Sequence, residues 1–235
     1  MSENIKKIMK AFKVDLNNSK NQNIILSTRP FNHQAHQVNE VVEKIAEKIY
    51  NLIKYAKHSN DGIILNHNKI KEAFFSPFKP QLKDAQVFLS HSHADKNKAL
   101  KVKNYLESET NHRVFIDSLF WDYKNNVLKE IKKHHIDVSK IEDAFTLILR
   151  ESLQNMIEKC PYFVFLQSNN SVSNQGLSRI TYSAWIYEEL KIAHSIRESR
   201  LTPMMESMQV FHDISPFLES LETITLKELS HTINS

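Results

Sequence analysis

The spacing of apolar positions divides the chain into two regimes. Val38, Val41, Val42, Ile45, Ala46, Ile49, Leu52, Ile53 and Ala56 recur at intervals of three and four, the stripe of an amphipathic helix, and predict one long helix over 35–57. His58-Ser59-Asn60-Asp61-Gly62 follows. It is polar and closes on a glycine able to take the left-handed conformation that ends helices. A shorter helix is expected over 68–75, stopped by Pro77 and Pro80. Upstream, residues 1–34 are polar and rich in Asn and Lys. Ile5, Ile8, Met9 and Phe12 give them one short amphipathic helix, and 17–23 reads as a loop. Residues 1–80 are thus expected to form a helical N-terminal extension, a packing or oligomerisation element without chemistry.

Past residue 80 short apolar runs alternate with helical stripes. The runs are Ala85-Gln86-Val87-Phe88-Leu89-Ser90, His112-Arg113-Val114-Phe115-Ile116-Asp117 and Tyr162-Phe163-Val164-Phe165-Leu166. The last is continuously apolar, as a strand covered on both faces must be. Helices are expected over 94–108 and 139–159, and again from about 183 to 199; Ser139 and Glu142 carry a capping-box spacing. Residues 118–137 read as a loop with one helical piece and 167–181 as a polar loop. Met208-Gln209-Val210-Phe211 is a weaker fourth strand, a helical turn starts near Ser215, Ile224 sits on a short last strand, and the tail is helical. Alternation of this kind predicts an α/β domain over 81–235: a flavodoxin-like parallel sheet of about five strands with helices on both faces. In such folds ligands bind beyond the carboxyl ends of the strands. Three polar loops fall there: 90–95, 117–122 and 167–183.

Composition narrows the chemistry. The 235 residues carry a formal charge of +4 from scattered lysines, without a basic block, so nucleic acid is not an expected partner. No apolar run approaches the roughly 20 residues that span a bilayer, and Met-Ser-Glu-Asn-Ile-Lys-Lys lacks a signal-peptide core. The one cysteine, Cys160, excludes an internal disulfide and fits a cytoplasmic protein. Two glycines, Gly62 and Gly176, exclude both a P-loop and a G-x-G-x-x-G loop, which need several glycines in one turn.

Three constellations fall on the strand edge. In Ser90-His91-Ser92-His93-Ala94-Asp95-Lys96, an H-x-H-x-D spacing like that of zinc hydrolases places two imidazoles within reach of one metal. Lys96 stands where that motif continues to a histidine, and the competing reading is a turn in which Ser92 or Asp95 caps the next helix. Asp117 ends a strand before Leu119, Phe120 and Trp121, aromatics suited either to stacking on a planar ligand or to closing the core. Trp185 and Glu189 are four residues apart and share one helix face. There the helix dipole favours the carboxylate and desolvation disfavours it. Glu189 alone reads as a surface residue rather than a catalytic one, and Glu188 as its solvated neighbour.

In order along the chain, these pieces resemble a Toll/interleukin-1 receptor (TIR) domain of the bacterial kind, over roughly residues 84–226. Val87-Phe88-Leu89-Ser90-His91-Ser92 with Asp95 is similar to the first-strand motif, and Val114-Phe115-Ile116-Asp117 to the second-strand motif before the BB loop. The segment 157–168 resembles the one where a helix ends in Cys and a strand in Ser. Ser183-Ala184-Trp185 with Glu189-Leu190 resembles the S-x-W-x-x-x-E-L box. The chain departs from the family in a long insertion between Trp121 and Ser139 and in a BB segment without glycine or proline.

The resemblance implies cleavage of the nicotinamide–ribose bond of NAD⁺, as substrate and without a cofactor or metal. Products would be ADP-ribose or a cyclic or conjugated ADP-ribose signal, in antiphage defence. It implies Glu189 as the catalytic residue, with Ser90, His91, Asp117, Phe120, Trp121, Tyr182, Ser183 and Trp185 around the substrate. It further implies self-association through TIR–TIR contacts and a downstream effector that senses the product. The alternatives are a non-catalytic TIR adaptor and, further off, a zinc hydrolase using His91, His93 and Asp95.

Overall fold

In a computed structural model, residues 9–29, 33–59, 62–64, 66–76, 84–134, 139–175, 178–198 and 212–235 are described. The chain divides into two compact units. One comprises Met1–Phe31, Asp84–Ile116 and Gln154–Ser235, the other Asn32–Lys83 and Asp117–Leu153.

The first unit is built on a five-stranded, all-parallel sheet. Its strands are β1 (Lys10–Asp15), β4 (Ala85–Ser90), β5 (Arg113–Ile116), β6 (Tyr162–Gln167) and β10 (Glu222–Thr223), in the spatial order β10-β1-β6-β4-β5. Helices flank it, so the flavodoxin-like α/β class expected from the alternating pattern is the class observed. Val87, Phe88 and Leu89 of β4 and Phe163, Val164, Phe165 and Leu166 of β6 are buried, as double-sided burial requires. Phe88 lies between its neighbours, 5.5 Å from Phe115 and 5.8 Å from Phe163 between ring centroids. Helix α4 (Lys96–Glu109) is tied to β5 by a buried cation: Lys103 Nζ donates to Val114 O at 2.8 Å and pairs with Glu107, whose Oε1 accepts from Val114 N at 2.9 Å.

The N-terminal segment corrects the expected boundary at residue 80. Instead of a helix around Phe12, residues 10–15 are the strand inserted between β6 and β10, in continuous register from Lys10↔Tyr162 to Asp15↔Gln167. Residues 1–8, which carry the rest of that expected helix, lie outside the described residues. Ala-Phe-Lys-Val-Asp has too few turns to show a helical period, and its buried Ala11, Phe12 and Val14 fit a pleated core strand. The expected loop at 17–23 is mostly helix α1 (Ser19–Ser27), capped by Asn18, whose side chain accepts from Lys20 N at 2.9 Å. Asn21 then donates to Asp15 O and accepts from Leu226 N, which fixes α1 to β1 and to α9 (Leu226–Asn234). A capping box of Thr225 and Glu228 starts α9.

After β6 the expected polar loop holds β7 (Ser173–Gln175) and β8 (Ser178–Thr181), which with β9 (His212–Asp213) form a small antiparallel sheet. Short polar strands of this size lack the apolar run that reveals a strand in sequence. Helix α7 (Ala184–Glu198) follows, and α8 (Ser215–Ser220) packs against it. The expected strand over 208–211 lies outside the described residues.

The second unit is helical. Helix α2 (His33–Lys54) covers the expected helix of 35–57 but stops three residues short of its end, and buries Val42, Ile45, Ala46, Ile49 and Ile53 on one side. It packs on α3 (His67–Phe75) and on α5 (Ser118–Lys132). The turn expected at Gly62 is instead the two-stranded hairpin of β2 (Lys57–Ser59) and β3 (Gly62–Ile64). Phe74 centres the core, with ring centroids 5.0 Å from Phe75, 5.0 Å from Tyr123 and 4.8 Å from Phe145 of α6 (Ser139–Lys159). Tyr50 stacks on His134 at 4.2 Å, and Glu151 receives Lys71 at 2.8 Å and His67 at 3.2 Å. Residues 118–137, expected to be mainly loop, open on four turns of helix directly after Asp117. Its buried Tyr123, Val127, Leu128 and Ile131 carry the spacing that produces this face.

Candidate active site

The site expected at the carboxyl edge of the sheet begins with Ser90, the last residue of β4, 0% exposed and in register with Phe165. Its hydroxyl donates to Glu189 Oε2. Glu189 lies in the second turn of α7 and is 1% exposed. The buried stripe of that helix is Ile186, Glu189, Leu190 and Ala193, an i, i+3, i+4, i+7 face in which the glutamate takes a position that sequence rules assign to an apolar side chain. The surface reading of Glu189 is therefore overturned. Burying a carboxyl costs several kcal/mol unless hydrogen bonds offset it. A carboxyl kept at such a position, at the edge where open α/β sheets bind ligands, makes Glu189 the candidate functional group of this unit.

The start of α7 is set locally. Ser183 Oγ accepts from Ile186 N at 3.3 Å, and Ser183 N donates to Thr181 Oγ1 at 3.2 Å, so Ser183, expected near substrate, has a helix-capping contact as well. Tyr182 is 67% exposed and Trp185 half-buried, so the aromatics beside Glu189 in sequence present surface. Glu188 is half-buried. One turn along, Tyr187 stacks on His212 with centroids 4.5 Å apart and meets Phe217 at 5.7 Å, which anchors α7 to β9 and α8.

His91, the first residue beyond β4, is buried, whereas His93 is exposed. Asp95 neither caps α4 nor is left to a metal, and Ser92 makes no side-chain cap either. The Asp95 carboxylate, 2% exposed, receives Ser168 Oγ on Oδ2, and Asn170 Nδ2 at 3.0 Å and Lys98 Nζ at 3.1 Å on Oδ1. Burial pushes its pKa up, but the bonds from Ser168, Lys98 and Asn170 together outweigh burial and hold it below the usual carboxylate value. The two imidazoles thus differ in burial and the carboxylate is already engaged. Among the described residues no group of three or more His, Cys, Asp or Glu side chains is arranged to hold a metal.

Of the other expected substrate residues, Asp117 is buried at the head of α5 and belongs to the helical unit, as do Phe120 and Trp121, whose side chains lie outside those described. The Asp95–Ser168–Asn170 cluster was not expected as a unit. Its sequence signal was the polar run Gln167-Ser168-Asn169-Asn170-Ser171 immediately after an apolar strand, too generic to pair with Asp95.

Fold and site together define a class: an open parallel α/β protein with a buried glutamate held by a strand-end serine at its carboxyl edge. Beyond the class, no protein-family model, curated protein or solved structure matches the chain. No helix among the described residues is long and apolar enough to cross a membrane.

Proposed function

We propose that the chain is a TIR-type NAD⁺ nucleosidase in which Glu189 is the catalytic carboxylate. The observation that carries the reading is Glu189 itself, 1% exposed in an otherwise apolar helix stripe and held by the Ser90 hydroxyl. Both residues belong to the motifs that resemble the family's. In the reaction the bond between the ribose C1′ and the nicotinamide nitrogen breaks. The cationic ring departs neutral with the electron pair, so no general acid is required. Water or a hydroxyl then bonds to C1′ and gives up its proton, or a base nitrogen of the substrate bonds to C1′ through its lone pair, to yield ADP-ribose or a cyclic or conjugated product. Glu189 binds ribose hydroxyls and stabilises the oxocarbenium-like charge that develops at C1′. Substrate binding uncovers this carboxylate and exchanges the Ser90 hydroxyl for one of the ribose. His91, Tyr182 and Trp185 flank Ser90 and Glu189 in sequence and belong to the substrate environment. Antiphage defence, a product-sensing effector, self-association and a cytoplasmic location belong to the same proposal.

The test is incubation of concentrated protein with NAD⁺ and mass spectrometry of the products. Glu189→Gln, which keeps the shape, lowers turnover by about 100-fold or more. Full activity in that variant refutes the assignment.

One observation favours a second reading, a TIR interaction module without turnover. Helix α5 starts at Ser118, so the segment in the position of the family's BB loop, through which neighbouring domains complete each other's sites, is helical. Absence of turnover in the wild type, together with a folded monomer by light scattering in the presence of NAD⁺, selects this second reading.

A further inference from the structure

Two buried carboxylates stand at the same sheet edge, each bound to a serine at the end of a different strand. Ser90 closes β4 and holds Glu189; Ser168 follows β6 and holds Asp95, which itself comes five residues after Ser90. β4 and β6 are adjacent and parallel. The Asp95 side chain therefore ties the turn after β4 to the loop after β6.

Both ends of that tie are themselves fixed. Asp95 N donates to Ser92 O at 2.8 Å and closes the 3₁₀ turn His93–Asp95. Ser168 Oγ accepts from the backbone N–H of Asn170 at 3.0 Å and of Ser171 at 3.2 Å, and Ser168 N donates to Ser171 Oγ at 2.8 Å. With its acceptor capacity used by these amides, the Ser168 hydroxyl has one role left, donation, and it donates to Asp95. Asp95 takes no part in capping α4. Its three donors include two from beyond β6, more than seventy residues away in sequence, so its burial serves a long-range purpose.

We infer that Asp95, through Ser168, is a positioning residue: the brace fixes the turn that presents Ser90, and thereby sets the hydrogen bond that Ser90 gives to Glu189. The consequence for catalysis rests on the NAD⁺ reading; the effect on Glu189 does not.

The two are separable by experiment. The side-chain carboxyl of Glu189 is followed by ¹³C NMR, assigned by its loss in Glu189→Gln, as pH is varied in the full-length protein. Loosening the brace weakens the bond to the ionised form, so the Glu189 titration midpoint moves up in both Asp95→Asn and Ser168→Ala. The sign is diagnostic. Asp95→Asn also removes a negative charge, which by itself moves the midpoint down. Ser168→Ala keeps that charge, and Ser168→Thr, which restores a hydroxyl, returns the midpoint to the wild-type position. With NAD⁺, Asp95→Asn and Ser168→Ala lower kcat about tenfold and leave KM within about twofold, as expected when a catalytic group is misplaced and substrate affinity is kept. An unmoved or lowered midpoint in folded Ser168→Ala overturns the inference. Absence of NAD⁺ cleavage in the wild type overturns only the proposed reaction, because the titration still decides the brace.

Discussion

Replacing Phe12 by alanine tests the reassignment of the N-terminal segment. Phe12 is 2% exposed and stands opposite Val164 of β6 on one side and Glu222 of β10 on the other. It is therefore an interior residue of the sheet unit, although its segment, Met1–Phe31, is separated in the chain from the next part of that unit by Asn32–Lys83 of the helical one. Deleting a buried phenylalanine side chain costs about 3–5 kcal/mol, the transfer free energy of the ring plus the cavity it leaves. For a chain of this size that is a fall in melting temperature of about 6–20 °C. The two tryptophans make a clean assay, because Trp185 lies in the sheet unit and Trp121 in the helical one. In a Trp121→Phe background, urea unfolding followed by fluorescence reports on α7 alone. The Trp185 transition moves to lower urea by the amount above, whereas Lys10→Ala, at an exposed position of the same strand, stays within about 0.5 kcal/mol. If residues 1–80 were an appended helical element, the Trp185 transition would not respond to Phe12. A change below about 1 kcal/mol refutes the strand assignment.

Two further outcomes follow from buried groups of the same unit. Cys160 is 1% exposed with Sγ 3.7 Å from Ala85 O, and burial pushes its thiol up to about 12. Native protein at pH 8 therefore reacts with a thiol-disulfide reagent at least about 100-fold more slowly than protein in urea, and fast stoichiometric labelling of the native state contradicts this. Asp95 is held below its unfolded value of about 3.9. A depressed carboxylate contributes stability that is present above the unfolded pKa and is lost as pH falls through the folded one. The stability gap between wild type and Asp95→Asn, read from urea midpoints, is thus widest near neutral pH and closes in acid; a gap that stays constant down to pH 2.5 contradicts the assignment.

Long elements with an uninterrupted period were legible in the chain, and short ones were not. Helices α2 and α6 and strands β4 and β6 fall within a few residues of their expected spans, because each repeats its signal over several turns or presents an unbroken apolar run. β1 offered six residues with lysines at positions one and four, and the helical stripe upstream captured its phenylalanine. β10 is two residues long and exists only because β1 provides its partner. The N-terminal helical stripe and the insertion after Trp121 were both visible in sequence. What sequence could not supply is that α2, from the first, and α5, from the second, pack together in one helical unit. That pairing is a long-range contact between two amphipathic faces, each of which would accept any apolar surface of the right width.

The candidate site divides in the same way, by the range of the contact. Glu189 was legible as a position but not as an environment. Its neighbours Ile186, Leu190 and Ala193 predict a buried face, and charge alone placed the glutamate outside it. The two assignments conflict, and local rules break where function constrains a residue. The conflict is resolved by a partner ninety-nine residues away, Ser90, whose hydroxyl makes burial of the carboxyl tolerable. Asp95 repeats the argument with the opposite local cue. Its place before α4 suggests a cap, a role that would leave it at the surface, but it forgoes the cap and turns inward to Ser168. In both cases a carboxyl forgoes the cheaper local arrangement for a long-range hydrogen bond at the ends of β4 and β6. Stability alone does not select that arrangement, since an apolar side chain would fill the Glu189 position at lower cost. What the arrangement achieves is the placement of two buried carboxyls at one edge of the sheet, each tied to a serine at the end of a different strand.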